Sequence, residues 1–281
     1  MKSLPSLMWM PRLCGVFCLS TALSASAQGG AQKFDPSAFP GFVMDEVVVP
    51  VPSEIFAVLD KLGDPNWRDE VRELNSPSTT DRMELALIFG TVVAEGFVAV
   101  QAQDKQAVEE TGREVIALAT ALGLTKAVRP HANSILESVK NNDWKAVRRE
   151  FDQTQSTVRT EMERMRDNDL AQCVSLGGWL RGTASVTSVV AKAYTTDRAE
   201  LLNQPMLVEH FSQSVETMSA PVKNNKLIAA ISKGLTKIRQ AMEAPDGIIN
   251  SEKVTVIRVT SEELLDLILQ AKKGKETAKD K

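Results

Sequence analysis

The residues able to do chemistry are few and scattered. Two histidines and three cysteines occur among 281 residues. His131 follows Pro130 where a helix is expected to begin, and His210 stands between Glu209 and Phe211. Neither falls in an HExxH-type ligand spacing, so each reads as a boundary or capping residue. Cys173 lies in a nearly uncharged stretch and reads as an inert core thiol. There is no CxxC pair, no GxSxG elbow, no phosphate loop ending in Gly-Lys-Ser/Thr and no GxGxxG fingerprint. The glycines of Gly177-Gly178-Trp179-Leu180-Arg181-Gly182 fall inside an expected helix rather than at a strand-to-helix turn. Asp167-Asn168-Asp169 lacks the rest of a calcium loop. The expectation is therefore no catalytic residue, no metal and no cofactor: a non-enzymatic protein.

One constellation remains. Glu95 is the only charge between Glu84 and Asp104, and Arg181 is the only charge between Asp169 and Lys192. A helix that is apolar or small nearly all round has no wet face and is expected to be buried. An isolated buried charge is too costly to leave unmatched. The prediction is that Glu95 and Arg181 meet, either as an ion pair that fixes register or as the wall of a small polar pocket beside Trp179. Each charge is followed by a glycine, Gly96 and Gly182, and both stretches are rich in small residues, Gly90, Ala94, Gly96 and Ala99 in one and Gly177, Gly178, Gly182, Ala184 and Ser185 in the other. Glycine costs about 1 kcal/mol in a helix interior, so these glycines are expected where a backbone or side chain approaches closely.

The elements that must position this pair are mostly helical. The spacing predicts helices near 80–103, 105–122, 130–141, 144–167, 170–194, 205–218 and 224–243. Asp143 and Asp169 are expected as caps, Pro130 and Pro205 as first-turn prolines, and Pro221 as a terminator. Trp67, Val71 and Leu74 suggest an extra short helix. Helix 144–167 carries a stripe of Trp144, Val147, Phe151, Val158, Met162 and Met165, with mixed charge elsewhere. Val254 to Val259 alternates like a strand and is expected to pair with the Val47–Val51 segment. Thr260-Ser261-Glu262-Glu263 then reads as a capping box opening a last helix. The fold class expected is all-α: a compact bundle of about eight to ten helices around two buried small-residue helices, with a minor two-stranded β appendage. A duplicated unit, roughly 80–168 and 169–244, is compatible with this order.

The flanks carry the compartment. Residues 1–27 combine Lys2 and Arg12, an apolar stretch from Leu13 to Leu23, and Ala25-Ser26-Ala27, which is the pattern of a secretory signal peptide cleaved at Ala27/Gln28. Residues 28–45 read as a flexible lead-in, 46–271 as a single helical domain, and 272–281 as a disordered Lys-rich tail. Cleavage would leave Cys173 as the one cysteine and a net charge of −5, from 31 bases against 36 acids. Such a chain is expected to be periplasmic or secreted, stabilised by a core rather than a disulfide. Its acidity argues against a nucleic-acid partner. The two apolar stretches approach spanning length, but each has a central charge and many small polar residues, so no transmembrane segment is expected in the mature chain. Composition leaves an unknown protein partner, or a small or amphipathic ligand near Glu95, Arg181 and Trp179, as the readings to test.

Overall fold

The computed structural model describes residues 41–44, 47–50, 52–74, 79–243 and 247–270. The expected signal peptide, most of the lead-in and the Lys-rich tail lie outside these residues. The described chain is a helical bundle. Its helices are α1 (Pro52–Lys61), α2 (Arg82–Gln101), α3 (Lys105–Leu122), α4 (Thr125–Lys140), α5 (Trp144–Met165), α6 (Asn168–Lys192), α7 (Thr196–Ala199), α8 (Pro205–Thr217), α9 (Ala220–Lys223), α10 (Lys226–Met242) and α11 (Ser251–Gln270).

Local chemistry explains where these helices begin. Asp81 accepts from the amides of Met83 and Glu84 at the start of α2. Asp104, Asp143, Asp167 and Asn225 do the same for α3, α5, α6 and α10. Each side chain satisfies amides that a helix start leaves without a partner. Gly123 ends α3 in the left-handed region at φ +82°, where a glycine has no Cβ penalty.

Packing runs in two rings. α2 packs on α3, α3 on α4 and α4 on α5, and α5 returns to α2 where the rings of Phe151 and Phe97 lie 4.7 Å apart. α6 packs on α11, α11 on α10 and α10 on α8, and α8 returns to α6 where Phe211 meets Trp179 at 5.2 Å. The rings join where α2 crosses α6, the most extensive helix contact in the chain. α1 lies across the first ring: the guanidinium of Arg148 grips Asp60 at 2.8 and 3.0 Å and covers the Phe56 ring at 4.5 Å.

Several expectations are corrected. Val254 to Val259 is not a strand but the first half of α11. Val254, Ile257, Ser261, Leu264, Leu265 and Ile268 are buried at three- and four-residue steps, so helical packing overrides β-branched propensity. Thr260 and Ser261 are consequently buried mid-helix rather than opening one. Val47–Pro50 pairs instead with its neighbour Gly41–Met44, antiparallel, so among the described residues no sheet joins the two ends of the fold. α4 starts five residues before Pro130 and holds it inside. Pro221 lies within α9 rather than ending a helix, and Asp169 sits in the first turn of α6, where it accepts from Ser219. Trp67–Glu70 is a single 3₁₀ turn, and the next residue, Val71, is extended.

Candidate functional site

The crossing of α2 and α6 is set by glycines. A Cβ at Gly90 would lie 1.9 Å from the carbonyl oxygen of Val174, and one at Gly177 would lie 2.1 Å from that of Leu87. A Cβ at Gly178 would lie 3.4 Å from the Gly90 carbonyl oxygen. The two backbones therefore touch, and no side chain fits between them. The Thr91 hydroxyl sits at the same place, donating to the Leu87 carbonyl at 2.9 Å. Of the glycines expected to mark a close approach, Gly90, Gly177 and Gly178 make the helix crossing. A Cβ at Gly96 would meet Thr111 and Phe151, so that glycine admits α3 and α5. At Gly182 nothing lies within 4 Å.

Just beyond the crossing, α2 and α6 present their single buried charges to each other. The Nε of Arg181 donates to Glu95 Oε2 at 2.5 Å, with both side chains 2% exposed. The other guanidinium nitrogens are also engaged. Nη1 donates to the Ser185 hydroxyl one turn along α6, and Nη2 donates to the backbone carbonyl of Glu70 at 2.5 Å. The second oxygen of Glu95 accepts from the backbone N–H of Arg72 at 2.8 Å. The carboxylate neutralises the guanidinium, and the remaining donors and acceptor meet chain atoms. A desolvated ion pair needs this arrangement to be tolerable.

The third wall of the site is thus the strap between α1 and α2, residues 67–72. Trp67 anchors it at 3% exposure, and the Glu70 side chain accepts from Lys192 Nζ at 2.5 Å and Ser188 Oγ at 3.1 Å. Ser185, Ser188 and Lys192 follow Arg181 at four, seven and eleven residues, a helical face readable in the sequence. Glu70 and Arg72 were not readable, because the pair binds their main-chain atoms.

Trp179 is not part of this network. It lies two residues before Arg181, roughly 200° around α6, and packs on Phe211 of α8. Its indole N–H is buried and has no hydrogen-bond partner.

The other chemistry-bearing residues are held elsewhere. His131 is not at a helix boundary but inside α4, where Nδ1 lies 2.7 Å from Glu150 and Nε2 lies 2.9 Å from the Thr157 hydroxyl, tying α4 to α5. Beside it, a surface hollow of about 400 Å³ is lined by Lys126, Ala127, Ser156, Thr157, Thr160 and Glu161. His210 lies edge-on to Phe211. Cys173 is buried with its sulfur 3.9 Å from that of Met83, and burial, reinforced by Asp169, pushes its thiol up to about 12. A thiol so held is not a nucleophile at neutral pH. α2 is long and apolar enough to cross a membrane, and most of it is buried within the protein. Among the described residues no three His, Cys, Asp or Glu side chains gather as a metal site. No protein-family profile matches the sequence, and comparisons with curated proteins and with solved structures return no match.

Proposed function

We propose that this chain is an exported, periplasmic or secreted, non-enzymatic helical protein acting as an interaction or structural module. The observation that carries the reading is the closure of the buried polar centre between α2 and α6. The guanidinium nitrogens of Arg181 engage Glu95, Ser185 and the Glu70 carbonyl, and Glu95 turns its second oxygen to Arg72. Groups committed to the chain itself fix geometry rather than turn over a substrate. Within this reading the domain is organised about α2 and α6. The reciprocal contacts at their crossing, Leu87 with Gly177 and Val174 with Gly90, fit a duplicated origin for the halves 80–168 and 169–244. Signal-peptide cleavage at Ala27/Gln28 belongs to the same proposal.

A second reading, a small or amphipathic ligand held beside the central helices, is favoured by the unpartnered indole N–H of Trp179 and the open space over Gly182. Native mass spectrometry of the protein purified from its own host separates the two. A stoichiometric protein partner is expected. A co-purifying small molecule would replace the first reading with the second, and a bare monomer would count against both.

A further inference from the structure

The strap meets the buried pair in a particular way. Its chain is extended at Val71, with φ −72° and ψ 128°. In extended chain, the main-chain groups of residues two apart point to the same edge. Here the Glu70 carbonyl accepts from Arg181 and the Arg72 N–H donates to Glu95, at 2.5 and 2.8 Å. One guanidinium and one carboxylate, held together by each other, thus read one acceptor and one donor along a peptide edge. Side chains supply the rest of the recognition. Trp67 is buried three residues before Glu70, whose carboxylate is held by Lys192 and Ser188.

We propose that the Glu95–Arg181 pair, with Ser188 and Lys192, is a receptor for a short peptide in a 3₁₀ turn that leads into extended chain, and that residues 67–72 are its resident, self-blocking ligand. The partner class this fits is a short segment with an aromatic residue at the start of a single 3₁₀ turn and an acid at its end, then extended at the next residue, bound by main-chain hydrogen bonds with side chains setting specificity. The resident strap competes as a tethered ligand, at the millimolar effective concentrations that short connections give. An incoming segment must displace it. This rests on the interaction-module reading and gives that module a partner chemistry.

The test uses a labelled peptide spanning Asn66–Glu73 and the whole mature chain. Glu70→Ala in the protein removes the strap's grip on Lys192 and Ser188 and leaves the receptor side chains intact. Fluorescence anisotropy should show saturable binding to this variant, about tenfold or more tighter than to the unmodified chain. A peptide carrying both Trp67→Ala and Glu70→Ala should not bind. Absence of saturable binding to a folded Glu70→Ala chain, or equal binding of the two peptides, overturns the proposal. Should that variant fail to fold, hydrogen exchange on the unmodified chain decides. Excess peptide should speed exchange of the Arg72 amide, and an unchanged rate overturns the idea. A negative result here, with a protein partner still seen by native mass spectrometry, leaves the module reading standing and removes only the strap.

Discussion

Arg181→Met tests the central construction most directly. The substitution keeps an unbranched chain of similar reach and removes the guanidinium. Glu95 is then left at 2% exposure with one hydrogen bond, from the Arg72 amide, while the Glu70 carbonyl and the Ser185 hydroxyl each lose a donor. Removing one partner of a buried pair costs about 3–5 kcal/mol, because the surviving charge is stranded. For a domain of this size each kcal/mol moves Tm by about 2–4 °C, so the expected loss is roughly 6–20 °C. Contrast the Glu70–Lys192 pair, whose lysine side chain is 55% exposed. Lys192→Met should cost about 1 kcal/mol or less, since solvent screens that charge. The decisive assay is a thermal double-mutant cycle with Glu95→Gln. Once Arg181 is gone, neutralising Glu95 should restore stability, giving a coupling of about 1–3 kcal/mol. Additive losses would refute the claim that the two charges depend on each other.

Four further outcomes follow from single sites. Gly90→Ala or Gly177→Ala should destabilise by about 3 kcal/mol or more, because the new Cβ meets backbone that no rotamer change can clear. Gly182→Ala should stabilise by up to about 1 kcal/mol, having open space and a helix to favour; thermal melts read both. Cys173 should resist thiol reagents at pH 8 while the protein is folded and react once it is unfolded in denaturant. Its thiol is held up to about 12, above its unfolded value, so it contributes stability below about pH 9 that is lost as pH rises through 12. The Asp60 carboxyl is held below its usual range by the hydrogen bond from Arg148, against the opposing effect of burial. Its contribution is present above about pH 4 and lost on acidification, so an acid titration of Tm should fall less steeply in Asp60→Asn.

Much of this arrangement was legible in the sequence, for identifiable reasons. A charge alone in twenty apolar or small residues must find a partner, and two such charges of opposite sign left one solution; Glu95 and Arg181 do meet. The helices were legible where side-chain period and caps agreed, as at Asp143, the expected cap that accepts from the Ala146 amide at the start of α5. That glycines inside these helices mark a close approach was legible, but not which of them meet the other helix. Contact depends on which face points at the neighbour: Gly90, Gly177 and Gly178 hold that face, Gly96 admits α3 and α5, and Gly182 faces open space. The α11 start failed because Val254, Val256 and Ile257 favour strands locally, and only the neighbouring α6 and α10 reward their helical spacing. The strap failed for a deeper reason. Its main-chain oxygen at Glu70 and N–H at Arg72 exist at nearly every position of every sequence, so nothing in the residue types marks them.

The glycine crossing and the ion pair are one device, and this can be measured. Gly177 and Arg181 are one turn apart on α6, and Gly90 and Glu95 are little more than one turn apart on α2. The backbone contact at Gly90 and Gly177 sets the separation of the helices where the side chains of Glu95 and Arg181 span it at 2.5 Å. A Cβ inserted at the crossing must push the helices apart, and the pair one turn along must stretch with them. In the Arg181→Met/Glu95→Gln background there is no pair to stretch. Gly177→Ala should therefore cost less there than in the unmodified chain, by about 0.5–3 kcal/mol, the range for coupled neighbours. Equal costs in the two backgrounds would mean that the helices absorb the new Cβ by local bending, and that the crossing does not set the geometry of the pair.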